Sequence, residues 1–364
     1  MSSLELALAN LTAWSLQIGV LALAAAALAC LVPVERPGVR LALGQSLLAL
    51  MLVLPLVQPW RVTSAAVSWS VSLASATAPR AALSPGAGPL AAAPSWCVAV
   101  VLLLVLGTAI RLVRLAAALF ELRALGHRAR TLDLPPWLRE LRDEVAPRAR
   151  FAVSDRAGTP ATFGLRRALI LLPPGFESTE REHQAAVALH ELLHVRRGDW
   201  LALLLEELVT AAFFFHPAVH WLVAHVRLAR EQCVDADVVR RLGGREVYLE
   251  SLLEAARAAT LARAVLAAPF FRESHLRERV DLLLKEVSMS GAHTLRNAGV
   301  TSIVLLVTLA FTASAVPLQS APPKEPAKVA TRPLRPSQRS SARSIRSTRP
   351  RRRPTRWKGS LSSR

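Results

Sequence analysis

His190, Glu191 and His194 form the run His190-Glu191-Leu192-Leu193-His194 within EREHQAAVALHELLHVRRGDW, residues 180–200. Two histidines four apart share one helix face and can hold a zinc ion. A glutamate between them can serve as general base in hydrolysis. Such a site needs a third protein ligand and one open position. Downstream, Glu231 and Asp235 fall one turn apart, so one carboxylate could bind the metal while the other buttresses a ligand imidazole. His216, His220 and His225 compete for the third place, and His220 lies three turns before Glu231 on the same face. His216 and His220 are also candidate oxyanion donors. Asp199 either orients a ligand histidine or closes a salt bridge at the helix end.

These residues need elements to position them. Thr179-Glu180-Arg181-Glu182 reads as a capping box, with Thr179 at the N-cap of the helix that carries the histidine pair. Upstream, FAVSDRAGTPATFGLRRALILLPPGF (151–176) predicts a β-hairpin turning at Gly164-Leu165-Arg166-Arg167. Its second strand, Leu169–Leu172, should be buried and stopped by Pro173-Pro174. Thr162, Phe163 and Gly164 would then form a strand that pairs with a substrate backbone, or else simply a core hairpin. Residues 200–215 are apolar except for Glu206 and Glu207, as in a core helix or one grazing a membrane surface. His216-Pro217 restarts the chain into a helix over 218–241.

Composition places this constellation at a membrane. The chain is 52% hydrophobic with mean hydropathy +0.34, too apolar for an ordinary soluble protein. Apolar runs predict spans at about 14–34, 41–57 and 96–116, the third continuing as helix through Arg111, Arg114 and Arg123. A fourth run over 300–316 has minimal spanning length. The expected organisation is 1–120 membrane region, 121–298 zinc peptidase domain, 299–317 fourth span and 318–364 disordered basic tail. No Lys or Arg precedes the first apolar stretch, so it reads as a membrane helix and not a signal peptide. Residues 61–95, rich in Ser, Ala, Pro and Gly, read as an external loop. Cys30, Cys97 and Cys233 suggest no disulfide framework.

The net charge of +19 is not spread evenly. Residues 318–364 carry 14 Lys and Arg against one acid, Glu325, which leaves only +6 for the other 317 residues. The basicity belongs to the tail, and no direct nucleic-acid partner is expected. Arg36 and Arg40 follow the first span, and Arg111, Arg114, Arg123, Arg128 and Arg130 follow the third. Both groups favour the cytoplasmic side, which places the peptidase domain there. A full fourth span would export the tail against its own charge, whereas a shallow dip would keep it inside.

HELLHVRRGDW followed by FFFHPAVHWLVAHVRLAREQCVDADVV resembles the BlaR/MecR-type integral-membrane metallopeptidase family. TPATFGLRRALILLP is similar to the hairpin upstream of that family's zinc helix, and Tyr248 with Leu249, Leu252 and Leu253 to its downstream helix. The similarity covers about residues 10–318. It implies a mainly α fold: multi-span membrane helices and a cytoplasmic gluzincin-like zinc peptidase domain carrying a small β-hairpin or sheet. It also implies one zinc ion held by His190, His194 and Glu231, with Glu191 as base and Asp235 near the site. The implied activity is a bacterial inner-membrane metalloendopeptidase that cleaves a cytoplasmic repressor in signal transduction, with the bilayer as its setting. Val234 stands where the family usually has Cys, and Ala168 where its hairpin has Pro; neither position does metal chemistry. A C-terminal penicillin-binding sensor domain is not expected within the 47 tail residues, so a separate sensor protein is a candidate partner. The alternative is a non-proteolytic transducer that keeps the zinc fold while its basic tail binds an anionic partner.

Overall fold

A computed structural model of the chain describes residues 2–32, 34–58, 60–62, 94–165, 167–262, 276–284 and 291–320. Four of its helices are long and apolar enough to cross a bilayer. These are α1 (Ser3–Leu31), α2 (Pro37–Val57), α3 (Ser95–Arg128) and α10 (Gly291–Ala315). Helix α1 begins eleven residues before the expected span. Its first turn uses a capping box, with Ser2 Oγ accepting from the Glu5 amide and Glu5 Oε2 accepting from the Ser2 amide.

Several polar side chains among these helices pair internally, as a low-dielectric setting favours, although the buried hydroxyls of Thr294 and Thr301 on α10 have no partner among the described residues. Gln17 is fully buried and donates to Gln58 Oε1 at 3.0 Å and to the Val316 carbonyl at 2.7 Å. Asn10 exchanges two hydrogen bonds with the backbone of Gln319. That contact supports a short parallel pairing of β1 (Arg61–Val62) with β6 (Gln319–Ser320). The first residues of the segment expected to be a disordered tail therefore pack, with Leu318 buried. Residues 321–364 and most of the expected external loop (63–93) lie outside the described residues.

Helix α3 continues past its apolar part, as its sequence predicts, and delivers Gly126 against Phe163 and Leu169. It thereby reaches a four-stranded mixed sheet of β2 (Arg130–Thr131), β3 (Arg150–Val153), β4 (Ala161–Phe163) and β5 (Leu169–Leu172), in spatial order β2-β3-β5-β4. The predicted hairpin is β4–β5, antiparallel with Thr162 opposite Ile170. Gly164 turns at φ +105°, and a Cβ there would meet the Arg167 carbonyl at 2.9 Å. The parallel pairing of β3 with β5 makes β5 an interior strand, so Ile170, Leu171 and Leu172 are buried on both faces. Strand β4 forms one edge of the sheet.

Helix α4 (Pro136–Val145) covers part of the sheet, and α5 (Arg181–Arg197) carries the histidine pair. The expected capping box is absent. Glu180 occupies the N-cap without a side-chain bond, and Thr179 Oγ1 instead donates to the carbonyls of Gly175 and Phe176. The cause is local: a 3-10 turn, Pro174–Ser178, runs directly into Thr179 and presents those carbonyls to it. At the other end Gly198, at φ +70°, both stops α5 and begins α6 (Asp199–Ala212).

Helix α6 is inverted relative to a soluble helix. Glu206 is buried against Arg230 and Arg227, while Leu201, Leu205 and Leu208 are about half exposed. After it come α7 (Pro217–Leu242), α8 (Glu246–Ala262) and α9 (Leu276–Leu284). One core joins the sheet to α4, α5, α8 and the end of α7 through Phe151, Ile170, Leu189, Leu192, Val234 and Val238. A second core joins α1 and α2 to the start of α7 through Ile18, Leu21, Leu47, Met51, Leu222 and Val226.

Candidate active site

The 3.6-residue period puts His190 and His194 on one face of α5, and α7 crosses that face with Glu231. Nε2 of His190 lies 3.1 Å from Nε2 of His194. Glu231 Oε2 lies 3.6 Å from His190 Nε2, and Glu231 Oε1 lies 3.6 Å from His194 Nε2. Ligand atoms about 2.0–2.1 Å from a tetrahedral zinc are roughly 3.3 Å apart, so the two Nε2 atoms and the carboxylate oxygens that face them are already spaced close to what a metal needs. Among the described residues these three form the one group of His, Cys, Asp or Glu close enough to hold a metal ion. His216, His220 and His225 are not part of that group, and one ring nitrogen of each lies within hydrogen-bond distance of the carbonyl of Ser15, Phe214 and Trp221 respectively.

Each imidazole is held from behind. His194 Nδ1 lies 2.8 Å from Asp199 Oδ2, and Asp199 also accepts from Arg197 Nε at 3.3 Å. Both roles considered for Asp199 are therefore present at once, because Gly198 folds α6 back beside the last turn of α5. His190 Nδ1 lies 2.9 Å from the Tyr248 hydroxyl, which donates to Asp235 Oδ1 at 2.5 Å. Asp235 thus reaches His190 chiefly through a phenol, with 3.6 Å left between the two directly. Both Nδ1 atoms have acceptors, a tautomer that leaves both Nε2 lone pairs facing Glu231.

Arg279 of α9 completes the support. It donates to both oxygens of Asp235 at 2.8 and 2.7 Å and lies 3.3 Å from Glu231 Oε2. Burial, reinforced by the Asp235 carboxylate, pushes the Tyr248 phenol well above its usual range, so it stays a proton donor. Burial alone would lower the pKa of His194. Glu231 and Asp199, with Glu191 contributing, outweigh it and push His194 up to about 9. Burial likewise opposes ionisation of Glu231, but His194, His190 and Arg279 hold its carboxyl well below the usual carboxylate range. The field at the three donor atoms therefore favours a cation.

Glu191 is buried beside this group, and its Oε2 accepts a 2.6 Å hydrogen bond from the Thr162 hydroxyl of β4. The hairpin is thus tied directly to the proposed base. Phe163 packs against Trp200 and the end of α3, and Gly164 makes the turn. Sequence reasoning missed Tyr248 as a histidine partner and Arg279 altogether. Tyr248 carried one usable signal, being the single tyrosine of the chain. Arg279 carried none among 45 Lys and Arg residues.

Comparison with known proteins bears on this arrangement. The family described as BlaR1 peptidase M56 matches residues 18–283, from within α1 to the end of α9. The chain belongs to that family. A stretch of 160 residues is 28% identical to the protein named Regulatory protein BlaR1 of Bacillus licheniformis, covering 43% of this chain and 27% of that protein. The chain thus matches about a quarter of the relative's length. Membership of the BlaR1 peptidase family, with four helices long and apolar enough to cross a bilayer, makes this a membrane protein of a peptidase family. The match takes in α1 to α3, the hairpin, the His-His-Glu group, Tyr248 and Arg279 together.

Proposed function

We propose that the chain is a zinc-dependent endopeptidase of the bacterial cytoplasmic membrane that cleaves a regulatory protein, a cytoplasmic transcriptional repressor, in response to a signal. The observation that carries this reading is the convergence of His190, His194 and Glu231 with Glu191 poised beside them. A site needed only for structure has no use for Glu191. In this reading 1–120 is a membrane region, 121–298 the peptidase domain, 299–317 a fourth span and 318–364 a basic tail. The arginines after the first and third spans support a cytoplasm-facing site. The outward leucines of α6 support a site lying against the bilayer surface.

His190, His194 and Glu231 would hold the zinc ion. Bound there, zinc would polarise the scissile carbonyl and acidify the attacking water. Thr162 occupies Glu191 Oε2, which leaves Oε1 to accept the proton of the nucleophile. Glu191 then delivers that proton to the amine nitrogen as the peptide C–N bond breaks. Asp199 and the Tyr248–Asp235 pair keep the two imidazoles in the liganding tautomer throughout.

The test is Glu191→Gln in the full chain, with new protein N-termini labelled and compared between cells expressing wild type and variant. The variant should retain zinc and lose about 10²–10⁴-fold in cleavage. Zinc retained with cleavage unchanged would sink the peptidase reading in favour of a non-proteolytic transducer.

A further inference from the structure

A cleft of about 1020 Å³ opens from His194 and Thr162 and runs between the β4–β5 hairpin and the α5–α6 corner. Four arginines line it, Arg148, Arg150, Arg167 and Arg197, and no Asp or Glu does. Arg197 is engaged by Asp199. The other three are exposed and form no ion pair among the described residues. Other exposed arginines of this half, such as Arg128, Arg156 and Arg196, also form no ion pair among the described residues, so what marks these three is that they gather in one cleft with no carboxylate on its wall.

The unpaired arginines also share one end of the sheet. Arg150 opens β3 opposite Leu169, Arg148 sits in the turn before it, and Arg167 lies two residues before β5. Like charges gathered without counter-charge in a concave site repel one another and focus a positive potential into it. A ligand that brings carboxylates relieves both effects. The same cleft is walled by Leu165 and Leu201, and by Thr162 of the edge strand β4, whose outer backbone can pair with an extended chain. Alternate side chains of such a chain face the same way, about 7 Å apart, so a short acidic stretch can meet more than one guanidinium.

We propose that this cleft is the substrate groove and that it selects extended protein segments carrying Asp or Glu on one side of the scissile bond. The proposal rests on the peptidase reading above for its functional sense, but the binding preference stands apart from cleavage. A cleft bordered by a strand edge fits an extended peptide better than a lipid headgroup.

The experiment uses the full chain as Glu191→Gln in zwitterionic nanodiscs, so that peptide is held and not cut. Fluorescent peptides of identical apolar content, one with four Glu and one with four Lys, are compared by anisotropy. The Glu peptide should bind at least about tenfold tighter, with the preference shrinking as salt rises. Arg148→Glu with Arg167→Glu, both outside the strands, should reverse the order. Arg148→Gln with Arg167→Gln should abolish the preference, with zinc content reporting that each variant is folded. Equal binding of the two peptides overturns the proposal. So does an effect of the substitutions confined to association with anionic vesicles, which would assign the arginines to lipid. In parallel, the active chain is given a degenerate peptide pool. Glu191-dependent cleavage without acidic enrichment sinks this proposal alone. Cleavage indifferent to Glu191 sinks the peptidase reading, while the anisotropy still judges the groove.

Discussion

Removing one oxygen from the site offers the cleanest measure of how the ligands are held. Tyr248→Phe keeps a buried ring that stacks beside His190 at 6.2 Å between centroids and deletes only the hydroxyl. Three bonds are lost, one from His190 Nδ1 at 2.9 Å, one to Asp235 at 2.5 Å and a long one from Arg279 Nη2 at 3.5 Å. Asp235 is not orphaned, because Arg279 still donates to both its oxygens. His190 Nδ1 is left 3.6 Å from Asp235, close enough for a weakened direct bond. Partners behind a liganding histidine are worth about 10–100-fold in metal affinity, or about 1.4–2.7 kcal/mol. The surviving Arg279–Asp235 pair puts this case near the lower end, about tenfold. Zinc competition against a chromophoric chelator in detergent reads it directly, and thermal unfolding of the loaded protein should fall in step. An affinity within twofold of wild type, in a variant that melts normally when chelated, would refute the argument that Tyr248 fixes the His190 tautomer. In a double-mutant cycle, Asp235→Asn should couple to Tyr248→Phe, since both act on the same imidazole.

Other parts of the structure make further demands. Zinc must displace the proton that His194 holds up to about pH 9, so apparent zinc affinity should rise roughly tenfold per pH unit up to about 9 and then flatten. In chelator-stripped protein the raised His194 pKa contributes stability that is full below about 6.5 and lost as pH rises through about 9. The depressed Glu231 pKa contributes stability that is lost at the acid end, so a pH series of melting temperatures should show a maximum between. Glu206→Ala strands the buried Arg230 guanidinium, which keeps only Asp199 at 3.6 Å, and should cost about 3–5 kcal/mol in unfolding measurements. Glu206→Leu with Arg230→Met should cost less than the single change. In α2, a Cβ on Gly44 would meet Val226 Cγ2 at 2.8 Å, so Gly44→Ala should lower the melting temperature in detergent. In a Val226→Ala background the same change should raise it, because the clash is gone and the helix-propensity gain of about 1 kcal/mol remains.

What was legible in the sequence is what local pattern encodes. Alternation and the Gly164 turn placed the hairpin, the four-residue histidine spacing placed one face of α5, and apolar length placed four helices. Spacing with resemblance pointed to Glu231, which the fold brings beside His190 and His194, while His216, His220 and His225 stay outside that group. Misses arise where a contact joins distant segments or where a neighbouring turn competes. Tyr248 meets His190 across 58 residues and Arg279 meets Asp235 across 44, and nothing near either residue in sequence announces it. The parallel β3–β5 pairing was equally invisible, since a four-residue strand carries no mark of its partner. Helix α1 extends upstream of the expected span, where Glu5 closes a cap and Asn10 bonds the backbone at Gln319. Thr179 failed as a cap because the preceding 3-10 turn claimed its hydroxyl.

Helix α7 couples the proposed membrane region to the proposed peptidase domain. Its first half, Val219 to Ala229, lies in one core with α1 and α2, while Val234 and Val238 lie in another with α5 and β5. Its 26 residues form one rod about 39 Å long that cannot lengthen without breaking hydrogen bonds. Glu231 sits between the two cores on that rod. The imidazoles are fixed separately: His194 to Asp199 at the head of α6, and His190 to Tyr248 on α8. Two of the three donors are thus anchored within the sheet-side structure, and the third rides on a helix gripped by membrane-spanning ones. Any shift of α1 and α2 against the sheet must either break a core or move Glu231 relative to the histidine pair. Since close-packed cores resist continuous deformation, the spacing of the three donor atoms is the soft coordinate that such a shift would change.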